Sequence, residues 1–292
     1  MPTRAFRIAY DGTGYHGFQR QPDVPTVEDA LFDALRDLGV FAAEADKPDG
    51  YAAAGRTDAG VSALAQTVAL EAPDWLTPRA FNAELPADIR AWAAADAPAD
   101  FHATHDAERR EYTYHLYAPT VDSSSRDSKS RASTTRETAT ENAVADDRFH
   151  AACEALSGSH DFHNLTPDDH NTERSPTLEA TREGDFLVVT VTAGGFAREL
   201  VRRLVSLARE VGTGDADLER IDRALGPEPL PGHEGIAPAP PEPLVLTAVA
   251  YPDLAFETDA DAAASAREAF RARRIDRRTG ARVAGDLADG IR

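Results

Sequence analysis

Lysine is nearly missing: among 31 basic residues only Lys47 and Lys129 are lysine, and the others are arginine. Cysteine is reduced to Cys153 and methionine to Met1, which excludes a disulfide within the chain and a metal cluster built on cysteine thiolates. No run approaches the ~18 apolar residues needed to cross a bilayer. The opening Met-Pro-Thr-Arg-Ala-Phe lacks the apolar segment of a signal peptide, so the expectation is a soluble, cytoplasmic protein with no membrane partner. Positive charge is short overall, with 50 Asp and Glu giving a formal net charge of −19. Carboxylates in such excess keep a surface hydrated where concentrated salt screens their repulsion, which points to a halophilic proteome. A negative total argues against a nucleic-acid partner only if the remaining cations are evenly spread, and they are not.

The 292 residues are enough for a sizeable core in two domains or one large one. Phe6, Ile8 and Tyr10 alternate with Arg7 and Ala9 as in a half-buried strand. Thr26 and Asp29 form a capping-box pattern ahead of Val27, Leu31 and Leu35, and Gly39 can close that helix. Further strands are predicted around Leu64, Val68 and Leu70, from Glu111 through Tyr112, Tyr114 and Leu116, over Phe186 to Thr192 and over Leu244 to Val249. Helices are predicted from Phe149 to about Leu156 and from about Phe196 to Val211, ending at Gly212. Between Pro119 and Asp147 large apolar residues almost vanish, so this stretch lacks the surface to order itself. The expected organisation is an N-terminal half (1–118), a polar mobile insertion (119–148), a C-terminal half (149–255) and an Arg-rich extension (256–292).

Residues 55–61 read Gly-Arg-Thr-Asp-Ala-Gly-Val. Glycines permit a sharp turn and close approach by a ligand, and Arg56 two positions before Asp58 favours the ionised, nucleophilic carboxylate. The ordinary reading of an Asp between glycines is a capping turn. Gly12, Gly14 and Gly17 fit the dinucleotide fingerprint after a strand, but Pro22 and Pro25 delay the helix to Thr26, so no helix N-terminus meets a pyrophosphate. His160, His163 and His170 lie near Asp161, Asp168 and Asp169 without the i, i+4 spacing of a helical metal pair, and solvated loop residues account for them better. On the helix near position 200, Arg198, Arg202 and Arg209 fall within about 40° of one another at 100° per residue, opposite Leu200, Leu204 and Leu207. Such a stripe is a solvated face or a partner for a carboxylate or phosphates. Near the C-terminus Arg267, Arg271, Arg273, Arg274, Arg277, Arg278 and Arg282 face only Glu268 and Asp276, a local inversion suited to RNA or to a surface helix with a frayed end.

These pieces resemble tRNA pseudouridine synthases of the TruA type. The resemblance rests on Asp11 to Tyr15, Gly17 to Gln21, Gly55 to Val61, Asn82 with Leu85 to Ile89, Asp100 to Ala103, Arg110 to Tyr114, and Phe196 through Arg202, in the family's order and spacing. Phe18 stands for the family's usual Trp, Ser62 for its His, and Thr104-His105 for an Arg-Phe pair. The resemblance implies an α+β fold of two ferredoxin-like halves with antiparallel sheets joined into one, helices on one side and an RNA cleft, working as a homodimer. It implies isomerisation of uridine to pseudouridine in the tRNA anticodon stem-loop, without cofactor or metal. Asp58 would be nucleophile or base, at C1′, at C6 or at the C2′ proton. Tyr112 would stack on the uracil, Arg202 would hold Asp58 ionised, and Arg56 would fill the gap left by the flipped nucleotide. Gln19, Phe101, His102, Phe196, Arg198 and Leu244 are the further expected RNA contacts. Two alternatives stand beside this: an inactive RNA-binding paralogue, and a nucleotide-dependent enzyme using Gly12, Gly14 and Gly17.

Overall fold

The structure, a computed structural model, describes residues 1–42, 44–119 and 143–291. Most of the expected 119–148 insertion lies outside the described residues. The chain forms two units: Met1–Asp106 with Tyr251–Arg292, and Ala107–Ala250.

The first unit opens with β1 (Thr3–Tyr10) and α1 (Val27–Asp37). Thr26 caps α1 as its sequence indicates: its hydroxyl accepts from the Asp29 amide at 3.2 Å and donates to the Asp29 carboxylate at 2.7 Å. Gly39, at φ +69°, closes the helix with its amide on the Arg36 carbonyl. β2 (Ala52–Ala53), β3 (Ser62–Glu71), the short α2 (Pro78–Phe81) and β4 (Ile89–Ala97) follow. β1 is central, antiparallel to β3 with Phe6 opposite Val68 and to β4 with Phe6 opposite Ala94. Phe6, Ile8, Leu31, Leu35, Leu70 and Phe81 are buried between this sheet and its helices. Leu64, on the expected inward face of β3, is instead 53% exposed, because the β1–β3 register shifts between Ile8 and Tyr10 and the pairing beyond it no longer follows the strict alternation.

The second unit contains β5 (Arg109–Tyr117), α3 (Asp146–Leu156), a small hairpin of β6 (His160–Asp161) and β7 (Glu173–Arg174), β8 (Thr177–Glu183) and β9 (Phe186–Ala193). α4 (Leu200–Thr213), α5 (Leu218–Ala224) and β10 (Leu244–Ala250) complete it. Its antiparallel strands run in the order β10-β5-β9-β8, and α3 packs on α4 and β8. α3 begins at Asp146, one turn before the expected Phe149; its first turn is acidic, and Asp146 binds Arg182 of β8.

The chain then returns to the first unit with β11 (Glu257–Thr258), paired to β4, and α6 (Ala260–Gly290). Asp259 caps α6 by accepting from the Ala262 amide at 3.0 Å. Ala262, Ala263 and Ala266 are buried, and the helix packs on β4 and α2. The Arg-rich segment, for which a surface helix with a frayed end is one of two readings, is a continuous helix over Ala260–Gly290. Among the described residues no helix is long and apolar enough to cross a membrane.

Thr26→Ala removes both hydrogen bonds at the start of α1 and should lower unfolding free energy by about 1 kcal/mol. Urea denaturation of the two proteins in the same salt measures it.

Candidate active site

Asp58 sits on the loop between β2 and β3, and that loop is fixed by backbone contacts on both sides. The Thr57 carbonyl accepts from the Phe18 amide at 3.0 Å, and the Gly60 amide donates to the Tyr15 carbonyl at 3.2 Å. The Val61 amide returns to the Asp58 carbonyl at 3.1 Å. Thr57 is buried, its hydroxyl 2.7 Å from the Tyr10 phenol. Asp58 is half-buried and Arg56 is exposed. The two glycines of the motif do different things. Gly60 takes φ +82°, whereas Gly55 needs no positive φ and offers its carbonyl to the Gln66 side chain at 2.8 Å.

The glycines of residues 12–17 explain themselves here. A Cβ on Gly12 would lie 2.0 Å from the Val61 carbonyl oxygen, and one on Gly17, at φ +99°, 3.0 Å from the Thr57 oxygen. These positions are empty of side chain so that one backbone can lie on another. Gly12–Gly14 form a single 3-10 turn capped by Asp11, and the next helix starts only at Val27. The geometry of a dinucleotide site is absent from this stretch.

Asp11, Thr13, Tyr15, Asp88, Arg273 and Arg277, none of them among the expected site residues, brace the same segment. Asp11 is buried; its carboxylate accepts from the Thr13 amide at 3.2 Å and hydroxyl at 2.8 Å, and from Arg277 of α6 at 2.9 and 2.7 Å. Arg273 pairs with Asp88 at 2.8 Å and approaches Asp11 at 3.6 Å. The Tyr15 phenol donates to Asp88 at 2.9 Å. Burial pushes the Asp11 carboxyl upward, but the Thr13 hydrogen bonds and Arg277 outweigh it and hold the group below the usual carboxylate range. Burial and the Asp88 carboxylate push the Tyr15 phenol well above its ordinary value. The i, i+4 spacing of Arg273 and Arg277 was the available signal, but it names no partner.

In the second unit Tyr112 lies on β5 between Val191 of β9 and Leu246 of β10. The ring is 9% exposed, and Phe196 meets it edge-on with centroids 5.3 Å apart. Arg202, in the first turn of α4, donates from Nε to the Ala239 carbonyl at 2.6 Å, while its own carbonyl accepts from the Ala239 amide at 3.1 Å. Burial pushes the Tyr114 phenol up to about 12, with Arg202 and Arg209 pulling the other way.

Arg198 does not share the helical stripe. Glu199 at φ +60° interrupts the chain before α4, which starts at Leu200 rather than near Phe196. Asp168 accepts from the Arg198 amide at 2.9 Å and pairs with its guanidinium at 3.3 Å, so a contact from a distant loop sets the boundary. Of the other expected contact residues, Gln19 is exposed and Leu244 is buried at the start of β10 opposite Tyr114. Phe101 packs against Ala5, Ala52, Ala69 and Ala103. The His102 ring accepts from the Thr104 amide at 3.2 Å and stacks on His105 at 4.2 Å. Thr104, at a position where the resemblance differs, anchors that loop to the Ala53 carbonyl at 2.6 Å. His160 approaches the Ser157 carbonyl at 3.0 Å and His163 pairs with Asp161 at 3.3 Å. Among the described residues no group of three or more His, Cys, Asp or Glu could hold a metal ion.

A family model described as tRNA pseudouridine synthase matches residues 152–252. A protein of Haloarcula marismortui named tRNA pseudouridine synthase A is 57% identical over 288 residues, covering 99% of this chain and 100% of its own length. One of Natronomonas pharaonis with the same name is 58% identical and covers 98% of each chain. The Methanosarcina acetivorans protein of that name is 36% identical over 85% of this chain and 84% of its own. Among solved structures, a Cbf5-Nop10-Gar1 complex aligns at 15% identity and a TM-score of 0.33, covering 70% of this chain and 46% of that one.

Gly12→Ala forces a methyl group into the Val61 carbonyl and should cost about 1–3 kcal/mol of stability, read by urea denaturation. A second expectation follows from Asp11, whose folded-state value lies below its unfolded one. It contributes stability above the ordinary carboxylate range, and that contribution is lost as pH falls through and below it. Arg277→Gln should therefore destabilise at neutral pH and flatten the acid limb of a melting-temperature profile against pH.

Proposed function

The chain belongs to the tRNA pseudouridine synthase family, and we propose that it acts on a flipped-out uridine of the anticodon stem-loop, at about positions 38 to 40, with Asp58 as the reacting carboxylate. The family's reaction makes it an isomerase: the N1–C1′ bond of uridine breaks, a C5–C1′ bond forms, the C5 proton is lost and N1 gains one. Atoms and electrons balance within the substrate, so the proposed chemistry requires no redox partner.

The observation that carries the assignment is the way the chain presents Asp58. The residue before it is buried and hydrogen-bonded through both carbonyl and hydroxyl, and Gly60 and Val61, two and three residues after it, are tied to Tyr15 and to Asp58 itself. A half-buried carboxylate on a backbone so constrained is oriented before substrate arrives. Tyr112 is assigned to stack on the detached uracil, and the Phe196 edge against its ring limits how far that ring can turn. Arg202 is assigned to the charge balance of the reacting carboxylate, its side chain oriented by the Ala239 carbonyl. Arg56, exposed on the loop, is assigned to the space the flipped nucleotide leaves. Attack at C1′, attack at C6 and removal of the C2′ proton all use Asp58 as a base or nucleophile. The family resemblance further implies a homodimer as the working form.

Unmodified tRNA incubated with the protein should acquire pseudouridine in the anticodon arm, mapped by carbodiimide-blocked primer extension. Asp58→Asn should lower single-turnover rate by about 10⁴-fold or more, as removal of a reacting group does. Tyr112→Ala should be slowed and Tyr112→Phe much less so, since stacking survives in the phenylalanine. Equal product from wild type and Asp58→Asn would refute the assignment.

A further inference from the structure

α6 carries its arginines on two separate faces. At 100° per residue, Ala262, Ala266, Phe270, Arg273 and Arg277 gather on one side. This is the docked side, with Ala262 and Ala266 buried and Arg273 and Arg277 bonded to Asp88 and Asp11. Arg267, Arg271, Arg274 and Arg278 fall within about 60° of one another, roughly a third of a turn away, and all four are exposed. None of the four enters an ion pair with a described residue. Glu268 and Asp276 point about 90° and 170° from the middle of this row, so between Arg267 and Arg278 it holds no acid. The row is about 16 Å long, and Arg282, paired with Asp286 at 3.6 Å, extends it by one turn.

We infer that this outward arginine row is a second contact surface for tRNA, gripping the phosphate backbone while the Asp58 loop addresses the reacting base. The inference rests on the tRNA reading above. Four like charges on one helix face repel one another, and in a chain of net charge −19 their segregation calls for an anionic partner. A polynucleotide supplies phosphates at intervals a row of this length can meet several times over. Arginine rather than lysine suits this in concentrated salt. Long-range attraction is screened there within a few Å, whereas a guanidinium makes bidentate hydrogen bonds to phosphate oxygens at contact distance. The docked face fixes the row in place: Arg277 holds Asp11, and Asp11 begins the segment that supports the Asp58 loop. Phosphates bound on α6 would thus be held at a set distance from the reacting carboxylate, since both belong to one unit.

The test compares wild type with the quadruple variant Arg267→Gln, Arg271→Gln, Arg274→Gln, Arg278→Gln. Glutamine keeps helix propensity and the positions are exposed, and circular dichroism defines the KCl range in which both are folded. tRNA affinity by filter binding across that range should fall at least tenfold at the lowest salt. The slope of log K against log [KCl] should become shallower by about 2 to 3. Turnover at saturating tRNA should be unchanged. The matching quadruple lysine variant should keep the wild-type slope while binding more weakly. Equal slopes and affinities for wild type and the glutamine variant, or a lysine variant that loses the slope, would overturn the inference and leave the row a solvated face. A wild-type protein that forms no pseudouridine in tRNA would instead overturn the reading beneath it.

Discussion

Two stretches of backbone meet in the first unit with no side chain between them, and the placement of Asp58 depends on that approach. The Gly12–Gly17 stretch lies against Thr57–Val61 closely enough for Phe18 and Gly60 to donate hydrogen bonds across the contact, and Gly12 leaves no room for a single carbon. Buried backbone groups must find partners, and here each stretch supplies them to the other. The loop is held as a strand in a sheet is held, through main-chain bonds.

Charge is placed with the same economy. In concentrated salt the screening length drops to about 3 Å, so an arginine stabilises a carboxylate only by touching it. Arg277 touches the buried Asp11, and Arg273 touches Asp88. The acid excess on the surface and the arginine pairs beside the site follow from one physical setting: hydration is obtained from carboxylates spread outside, and position from guanidinium groups at hydrogen-bond distance. The relatives that share 57% and 58% of this sequence come from halophilic archaea, which agrees with the reading of the composition.

What was legible in the sequence is what local rules decide. The Thr26 cap, the strand through Phe6 and Tyr10 and the end of α1 at Gly39 each depend on residues a few positions apart and stand as read, although β1 is not half-buried: Ala5 and Ala9 on its other face are buried too. The Asp58 loop was legible as a turn, with Gly60 taking the positive φ that its motif allows. Distant contacts were not legible. α4 starts at Leu200 because Asp168, some thirty residues earlier, takes the amide and guanidinium of Arg198 and the chain turns left-handed at Glu199. Gly12 and Gly17 match a phosphate-cradle spacing, which the late helix start argues against, because close approach by a ligand and close approach by another part of the chain demand the same missing Cβ. Arg273 and Arg277 looked like tail charge because their carboxylates lie at the opposite end of the sequence.

That last distance governs the order of events during synthesis. The Arg277–Asp11 pair joins residues 266 positions apart, and the unit it closes is interrupted by the whole of Ala107–Ala250. The inserted unit is continuous and is complete once Ala250 has left the ribosome, whereas the unit that carries Asp58 lacks β11 and α6 until the chain has been made through Gly290. The middle of the chain is thus available to fold before the unit that encloses it in sequence is complete, against the usual N-to-C order. The Arg277 contact on Asp11, beside the segment that lies against the Asp58 loop, forms only after α6 has been made.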